Sequence, residues 1–194
     1  MVQQRKTGTK KVIRDSFVKL LKEKGMDGLT VSDITRDAGI NRGTFYLHYV
    51  DKFDLIKQLE NEMAEDLTQI LLVDSVDPGE FIDLIPYTAI LNSLYYVKNE
   101  LDFIYALIQT GADANFISNF KKILAQLISK KMGKSDHLIF SKKGLPYDYA
   151  LEIMLGGVIS VILLWVKKGA VEPPEEIATI IDKAKQLSPV ELLC

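Results

Sequence analysis

The sequence has few of the residues that a disulfide-bonded or metal-binding protein needs. Its 194 residues include a single cysteine, Cys194, and two histidines, His48 and His137. One cysteine cannot form an internal disulfide, and no acidic pair stands at ligand spacing beside either histidine. We therefore expect no metal site, no cofactor, and a reducing, cytoplasmic environment.

Long apolar runs are also missing. The longest, IMLGGVISVILLWV at 153–166, has 14 residues, whereas a membrane-spanning helix needs about 20. Lysine and arginine are spread through the first 24 residues, which argues against a secretory signal peptide. We expect 153–166 to be a buried or interface helix, and the protein to have no membrane partner.

Catalytic patterns are absent too, because no nucleophile–base pair, metal set or phosphate-binding loop is visible. The sequence therefore predicts a protein that is not an enzyme. Hydrophobic residues nevertheless make up 47% of the chain, enough for a substantial core.

Charge is distributed unevenly. Residues 1–57 hold 12 Lys+Arg and 7 Asp+Glu, a net +5, and residues 58–194 hold 12 and 19, a net −7. A basic end on an acidic body indicates an anionic partner, although a solvated basic helix would explain the charge equally well. A protein that compacts DNA without sequence preference would be basic throughout, so the acidic body argues against that class.

Capping residues and apolar spacing predict helices throughout the N-terminal part. Thr9 is a candidate N-cap for a helix at 10–24, which Gly25 ends. Thr30 with Asp33 forms a capping-box pattern. The next predicted elements are helix 31–38, a break at Gly39, helix 42–48 capped by Asn41, and helix 52–72 capped by Asp51. The helix, glycine turn and helix at 31–48 are typical of a helix-turn-helix.

The remaining segments also favour helices. They are 81–97, 100–109, 113–132, 147–168 and 174–187. The predicted fold is all-α, with a three-helix unit at 1–56 joined by a long helix to a larger bundle within 57–194, about nine helices in total.

The helix at 42–48 has two different faces. At the helical repeat, Phe45 and Tyr49 coincide and should point into a core, whereas Gly43 and Leu47 lie on the opposite side. A glycine on the outer side permits close approach, and a major groove admits one helix. Alternatives remain open: Tyr46 as a half-buried core ring, Gly43 as a tolerated glycine and His48 as a metal ligand.

Residues 29–56, LTVSDITRDAGINRGTFYLHYVDKFDLI, resemble the DNA-binding segment of TetR-type transcriptional regulators. The matching positions are Thr30, Val31, Asp33, Ile34, Ala38, Gly39, Ile40, Gly43, Thr44, Phe45, Tyr46, His48, Lys52 and Leu55. Three departures are mild: Thr35 replaces the usual Ala, Asn41 replaces Ser or Thr, and Tyr49 replaces Phe.

The resemblance implies a helix-turn-helix domain whose third helix enters the major groove of double-stranded DNA. By matching position, the implied DNA contacts are Thr30, Asn41, Arg42, Gly43, Thr44, Tyr46, His48 and Lys52. Leu47 joins them from its place on the helix, as an apolar contact to a thymine methyl.

The C-terminal part carries a weaker resemblance. Segments 99–124 and 145–169 resemble the C-terminal domain of a TetR branch that includes relatives of dihydroxyacetone-kinase regulators. Since helix 149–166 is apolar nearly all round and contains a Gly-Gly pair, we expect a homodimer interface. Its predicted residues are Met154, Gly156, Gly157, Val161, Trp165, Ile177 and Ile181. Packing within one domain is the alternative.

A ligand pocket is predicted among the C-terminal helices. Its lining would be Tyr87, Leu91, Tyr95, Phe103, Leu107, Phe116 and Phe120. Aromatic residues at helical spacing are more often core, so the small-molecule effector and its identity stay open. The function expected is a ligand-responsive repressor that binds a pseudo-palindromic operator as a homodimer, and the alternative is an activator or co-activator of the same fold.

Overall fold

A computed structural model describes residues 2–73, 85–110, 114–131, 145–187 and 191. Within these residues the chain forms nine helices and no strand, which confirms the all-α prediction. The helices are α1 (Val2–Gly28), α2 (Val31–Asp37), α3 (Arg42–Tyr46), α4 (Lys52–Val73), α5 (Tyr87–Asn99), α6 (Leu101–Thr110), α7 (Ala114–Lys131), α8 (Tyr147–Lys167) and α9 (Pro174–Ala184).

Helix α1 begins earlier than predicted. It starts at Val2 rather than after Thr9, so the proposed cap lies inside the helix. The glutamine, arginine and lysine residues before Thr9 have high helix propensity and extend the helix upstream. The break at Gly25 is confirmed, since this glycine takes a left-handed conformation (φ 67°) that kinks the helix there.

Side-chain caps set the starts of α2, α3 and α4 as predicted. Thr30 and Asp33 form the complete capping box of α2. Asn41 Oδ1 accepts from the Thr44 amide at 2.8 Å, and Asp51 Oδ1 accepts from the Phe53 and Asp54 amides at 2.8 and 2.7 Å. Each cap satisfies N–H groups that a helix start leaves without an intrahelical partner.

The N-terminal unit comprises Met1–Met63 together with Asp102–Ala114. Its core contains side chains from its first four helices, from the α1–α2 link and from α6. Those with no exposed surface are Ile13, Phe17, Leu21, Leu29, Ile34, Phe45, Leu55, Ala106 and Leu107. Lys22 of α1 forms an ion pair with Asp102 of α6. This grouping differs from a simple boundary at residue 56, because α6 clusters with the first helices; the functional division at 56 stays a prediction.

The C-terminal unit comprises Ala64–Leu101 and Asn115–Cys194. Helix α9 packs on α5 and α8. The Tyr95 hydroxyl donates to a carboxylate oxygen of Glu175, and Trp165 Nε1 donates to the Glu172 carbonyl at 3.1 Å. Helix α5 starts at Tyr87 rather than at 81, and 81–84 lie outside the described residues; α9 ends at Ala184, three residues early.

Candidate nucleic-acid interface

Two inward rings anchor α3, as the sequence predicts. Phe45 is fully buried, Tyr49 is 3% exposed, and their ring centroids are 5.6 Å apart. Burial raises the pKa of the Tyr49 phenol to about 12, so the ring stays neutral at every physiological pH. Because both rings are committed to the core, they orient the short helix without contributing to its outer face.

The outer face of α3 is open. Tyr46 is 49% exposed, Leu47 is 82% exposed, and Gly43 lies at the surface beside them. The Tyr46 ring also packs edge-on against the buried Phe45, so it lies half in the core and half at the surface. Helix α3 ends at Tyr46, so Leu47 is its C-cap residue and projects from the last turn rather than from the middle of a longer helix.

Gly43 has a second role that the sequence did not indicate. A Cβ atom built at this position would lie 3.2 Å from Asn41 Oδ1, the atom that caps α3. That distance is tighter than an ordinary contact, so a side chain here would press on the cap. Glycine therefore protects the helix start as well as opening the outer face.

The capping side chains have part of their hydrogen-bonding capacity already in use. The Thr30 hydroxyl donates to Asp33 Oδ2 at 2.6 Å, and Thr44 Oγ1 donates to Asn41 Oδ1 at 3.1 Å. The hydrogen bond from Thr30 holds the pKa of Asp33 at about 2, with help from Lys24. Thr30 and Thr44 thus retain oxygen lone pairs, and Asn41 its amide N–H groups, for any further contact.

Arg42 and Tyr46 lie one helical turn apart and contact each other. The Arg42 guanidinium donates to the Tyr46 hydroxyl at 3.2 Å, and its carbon lies 6.0 Å from the Tyr46 ring centroid. His48, half-buried, has its ring centroid 6.2 Å from that of Tyr49. In the part of the chain that the structure describes, no cluster of three or more metal-ligating side chains occurs.

The ammonium group of Lys52 is held by backbone carbonyls. Its ammonium donates to the carbonyls of Met26 and Leu29 at 2.7 and 2.8 Å and approaches that of Asp27 at 3.5 Å. These bonds tie the start of α4 to the end of α1. The N–H groups of Phe53 and Asp54 are likewise taken by Asp51, which leaves the α4 start poorly suited to an anion. These contacts favour a supporting role for Lys52, and its assignment to DNA stays a prediction.

Sequence reasoning missed two exposed apolar residues near α3. Val50 is 77% exposed and Phe53 is 58% exposed, close in sequence to the exposed Leu47. Phe53 lies on α4 but off the helical spacing of the buried Leu55 and Leu59, and Val50 precedes the helix. This mismatch with the buried spacing was the signal that could have identified both residues as exposed. They extend the apolar character of the surface beyond Leu47.

Comparison with known proteins agrees with this geometry. Residues 13–59 match the tetR family of bacterial regulatory proteins, and residues 86–185 match a transcriptional regulator C-terminal region. The chain belongs to the TetR family. Its helix-turn-helix lies at the N-terminal end, within the residues that match this family of regulatory proteins.

A curated relative is the HTH-type transcriptional regulator YxbF of Bacillus subtilis strain 168, 26% identical over 169 residues. That match covers 86% of this chain and 42% of YxbF, so the chain spans less than half the length of this relative.

Solved structures share the fold of this regulator. A TetR regulator of Streptococcus agalactiae 2603V has a TM-score of 0.62 and 22% identity, covering 93% of this chain and 96% of its own. The dihydroxyacetone kinase operon activator DhaS has a TM-score of 0.60 and 18% identity, covering 91% and 93%. The likeness to DhaS agrees in fold with the resemblance noted for 99–124 and 145–169.

Part of the predicted dimer interface of this regulator is buried within one chain. Trp165, Ile177 and Ile181 are 1%, 5% and 1% exposed, so they belong to the core of the C-terminal unit and cannot face a second copy. The sequence misassigned them because an all-round apolar helix does not reveal which face is internal. Met154, Gly156 and Val161 are half-buried, and Gly157 is exposed.

Other residues of α8 form an exposed apolar face. Tyr149 is 66% exposed, Ile153 67% and Leu164 55%, with Gly157 between them at helical spacing. By length and composition α8 is the one helix, within the described residues, that could also cross a membrane, and 28% of its most apolar window is buried. Length and composition alone do not separate an interface helix from a spanning one.

The predicted pocket residues are distributed over both units. Phe103 and Leu107 are buried in the N-terminal unit, and Phe120 is buried in the C-terminal unit. Leu91 and Phe116 are half-buried. The Tyr87 hydroxyl lies 3.5 Å from the Glu175 carbonyl and the Tyr95 hydroxyl contacts the Glu175 carboxylate, so both phenols bind α9. A shared ligand site for the seven residues stays a prediction.

Proposed function

We propose that the regulator is a ligand-responsive repressor that binds a pseudo-palindromic operator as a homodimer, with α3 in the major groove. The observation that supports this most is the division of α3 between the buried Phe45 and the open face of Gly43, Tyr46 and Leu47. A helix that is anchored on its buried side by an aromatic ring and exposed on its opposite side is suited to entering the major groove.

The contacts divide by chemistry. Arg42 pairs with guanine or a phosphate, Thr44 with a base edge or a thymine methyl, and Leu47 with a thymine methyl. The side chains suited to phosphate oxygens are Thr30, Tyr46 and His48. Asn41 contributes its amide and Gly43 its backbone, while Lys52 supports the fold.

The exposed face of α8 is the proposed dimer interface. Ile153, Gly157 and Leu164 are apolar or small, and Gly157 has nothing within 4 Å of the position of a Cβ atom in one chain. A second copy can therefore approach closely and bury the same residues about a two-fold axis. In this proposal a second copy of the chain, rather than lipid, covers the apolar face of α8. The protein is then a cytoplasmic regulator and not an enzyme.

A two-fold dimer presents two copies of α3 to half-sites about one DNA turn apart, roughly 34 Å. An effector bound in the C-terminal domain would favour a different arrangement of the two helices and so weaken binding. The similarity to DhaS, an operon activator, supports the second candidate, an activator or co-activator of the same fold.

Selection of bound duplexes from a randomised library tests the proposal. The native protein should enrich a pseudo-palindrome, and sedimentation should show a dimer on it. Enrichment of nothing at low salt, or enrichment of a single half-site by a monomer, would contradict the proposal. A reporter gene carrying the enriched sequence then shows whether the regulator lowers or raises transcription.

A further inference from the structure

We propose that Tyr46 is a positioning residue for base readout: its hydroxyl accepts a hydrogen bond from Arg42 and fixes where the guanidinium meets the base edges. This inference rests on the proposed function, since it assigns Arg42 to a base pair in the groove. It differs from the phosphate role of Tyr46, because a phosphate contact strengthens binding to every sequence equally.

The Tyr46 ring is itself fixed by the core. Its centroid lies 5.6 Å from that of Phe45, with an edge-on angle of 88°, and Phe45 has no exposed surface. Edge-to-face pairs of this kind favour one ring orientation. The hydroxyl is therefore held in a defined place at the surface, one helical turn from Arg42.

Arg42 depends on that hydroxyl because it has no carboxylate partner among the described residues. Other cations of the N-terminal unit have carboxylate partners. Lys19 Nζ lies 2.6 Å from Asp37 Oδ1, and Arg36 Nη2 lies 3.2 Å from Asp33 Oδ1. The contacts of Arg42 are the hydroxyl at 3.2 Å and the ring face at 6.0 Å. Its charge is thus left for DNA while its position is restricted.

Restriction matters because a free arginine side chain loses rotamer freedom when it binds. An Arg42 already held at Tyr46 loses less, and its remaining N–H groups stay available for guanine O6 and N7. The Tyr46 hydroxyl accepts in this bond, so its own proton can still be donated to a phosphate. Positioning and phosphate contact are compatible, and only the first changes sequence preference.

The experiment compares Tyr46→Phe, Arg42→Ala and the double variant. The probe is the duplex that the native protein enriches most, together with its single base-pair variants. Arg42→Ala identifies the base pair that Arg42 reads and should lower the preference for it about tenfold. Tyr46→Phe should lower the same preference about threefold or more, and should lower it no further in the Arg42→Ala background.

Two controls accompany these variants. Tyr96→Phe removes another phenol hydrogen bond, at 2.8 Å to Asp66 in the C-terminal unit, and should leave the preference at the native value. Thermal melting checks that Tyr46→Phe remains folded. Native preference in Tyr46→Phe would overturn the inference and leave Tyr46 with a phosphate contact alone. An equal loss of preference in both Arg42 backgrounds would overturn it too, because Tyr46 would then act without Arg42.

A measurement without DNA separates this inference from the proposed function. Relaxation of the Arg42 Nε–Hε group reports how far the free side chain is restricted. Tyr46→Phe should increase its mobility, and Tyr96→Phe should not. Equal mobility of the Arg42 side chain in native protein and Tyr46→Phe would show that the hydroxyl does not restrict it. That result would stand whether or not the protein selects a DNA duplex.

Discussion

Helix α3 has five residues and α8 has 21, and the two present different chemistry at their surfaces. On α3 the buried Phe45 lies behind a mixed face of arginine, threonine, tyrosine and glycine. On α8 the exposed side is mostly apolar, with Ile153 and Leu164 more than half exposed. A mixed face whose arginine has no carboxylate partner among the described residues is suited to a charged, hydrated partner. An apolar face is suited to another protein surface.

Local interactions determine α3, and long-range interactions determine α8. The cap of α3 is formed within four residues, by Asn41 and Thr44, so its partners are close in sequence. The buried side of α8 depends on other helices that pack on it, α9 among them. Changes on α3 should therefore separate folding from DNA binding, while changes on the outer side of α8 should separate folding from association.

The largest expected effect comes from removing the anchor of α3. Phe45→Ala deletes a fully buried ring and should lower the free energy of unfolding of the N-terminal unit by about 3–5 kcal/mol. Leu47→Ala, on the same segment but 82% exposed, should change it by less than about 0.5 kcal/mol. Urea unfolding followed by circular dichroism measures both. Equal destabilisation by the two variants would contradict the division of α3 into two faces.

Next in size is loss of association through α8. Leu164→Glu places a charge on the proposed interface and should weaken dimerisation by about a hundredfold or more, because an unpaired charge would be buried. Val171→Glu, also apolar and exposed but outside the helix, is the matched control. Sedimentation equilibrium measures both. A Leu164→Glu protein that dimerises like the native one would move the interface elsewhere.

Lys52→Ala tests whether this residue supports the fold or contacts a phosphate. Loss of its bonds to the Met26 and Leu29 carbonyls should reduce the free energy of unfolding by about 1–3 kcal/mol. The salt dependence of DNA binding should stay the same, and Lys57→Ala, exposed on the same helix, should alter neither quantity beyond small changes. If Lys52→Ala left stability unaltered and made the slope of log K against log salt concentration shallower by about 1, Lys52 would be a phosphate contact instead.

These cases show where sequence alone is sufficient. The caps Thr30, Asn41 and Asp51 and the inward pair Phe45 and Tyr49 were predicted correctly, because each depends on neighbours within four residues. The same local rules, together with the motif, led to the fold and to the exposed face of α3.

Sequence alone was insufficient where distant residues decide. Lys52 binds carbonyls 23 and 26 positions away, a partnership that no local pattern reveals. Trp165 and Ile181 were assigned to an interface because α8 and α9 are strongly apolar, yet packing between the two helices buries them. Spacing identified the apolar residues, but only tertiary structure distinguishes an internal face from an external one.

The smallest expected effect is the pH dependence of the α2 cap. The Thr30 hydroxyl and Lys24 hold the pKa of Asp33 at about 2, below its ordinary 3.8. A lowered pKa means that the carboxylate stabilises the folded state above about pH 4, and that this contribution is lost as the pH falls towards 2. The melting temperature of the native protein should therefore exceed that of Asp33→Asn near neutral pH, and the gap should narrow between about pH 4 and pH 2. Asp15→Asn, a carboxylate on α1, corrects for general acid destabilisation. A gap between native protein and Asp33→Asn that persists unchanged at pH 2 would show that shape rather than charge makes the cap, and would weaken the view that short-range electrostatics hold the helix-turn-helix in place.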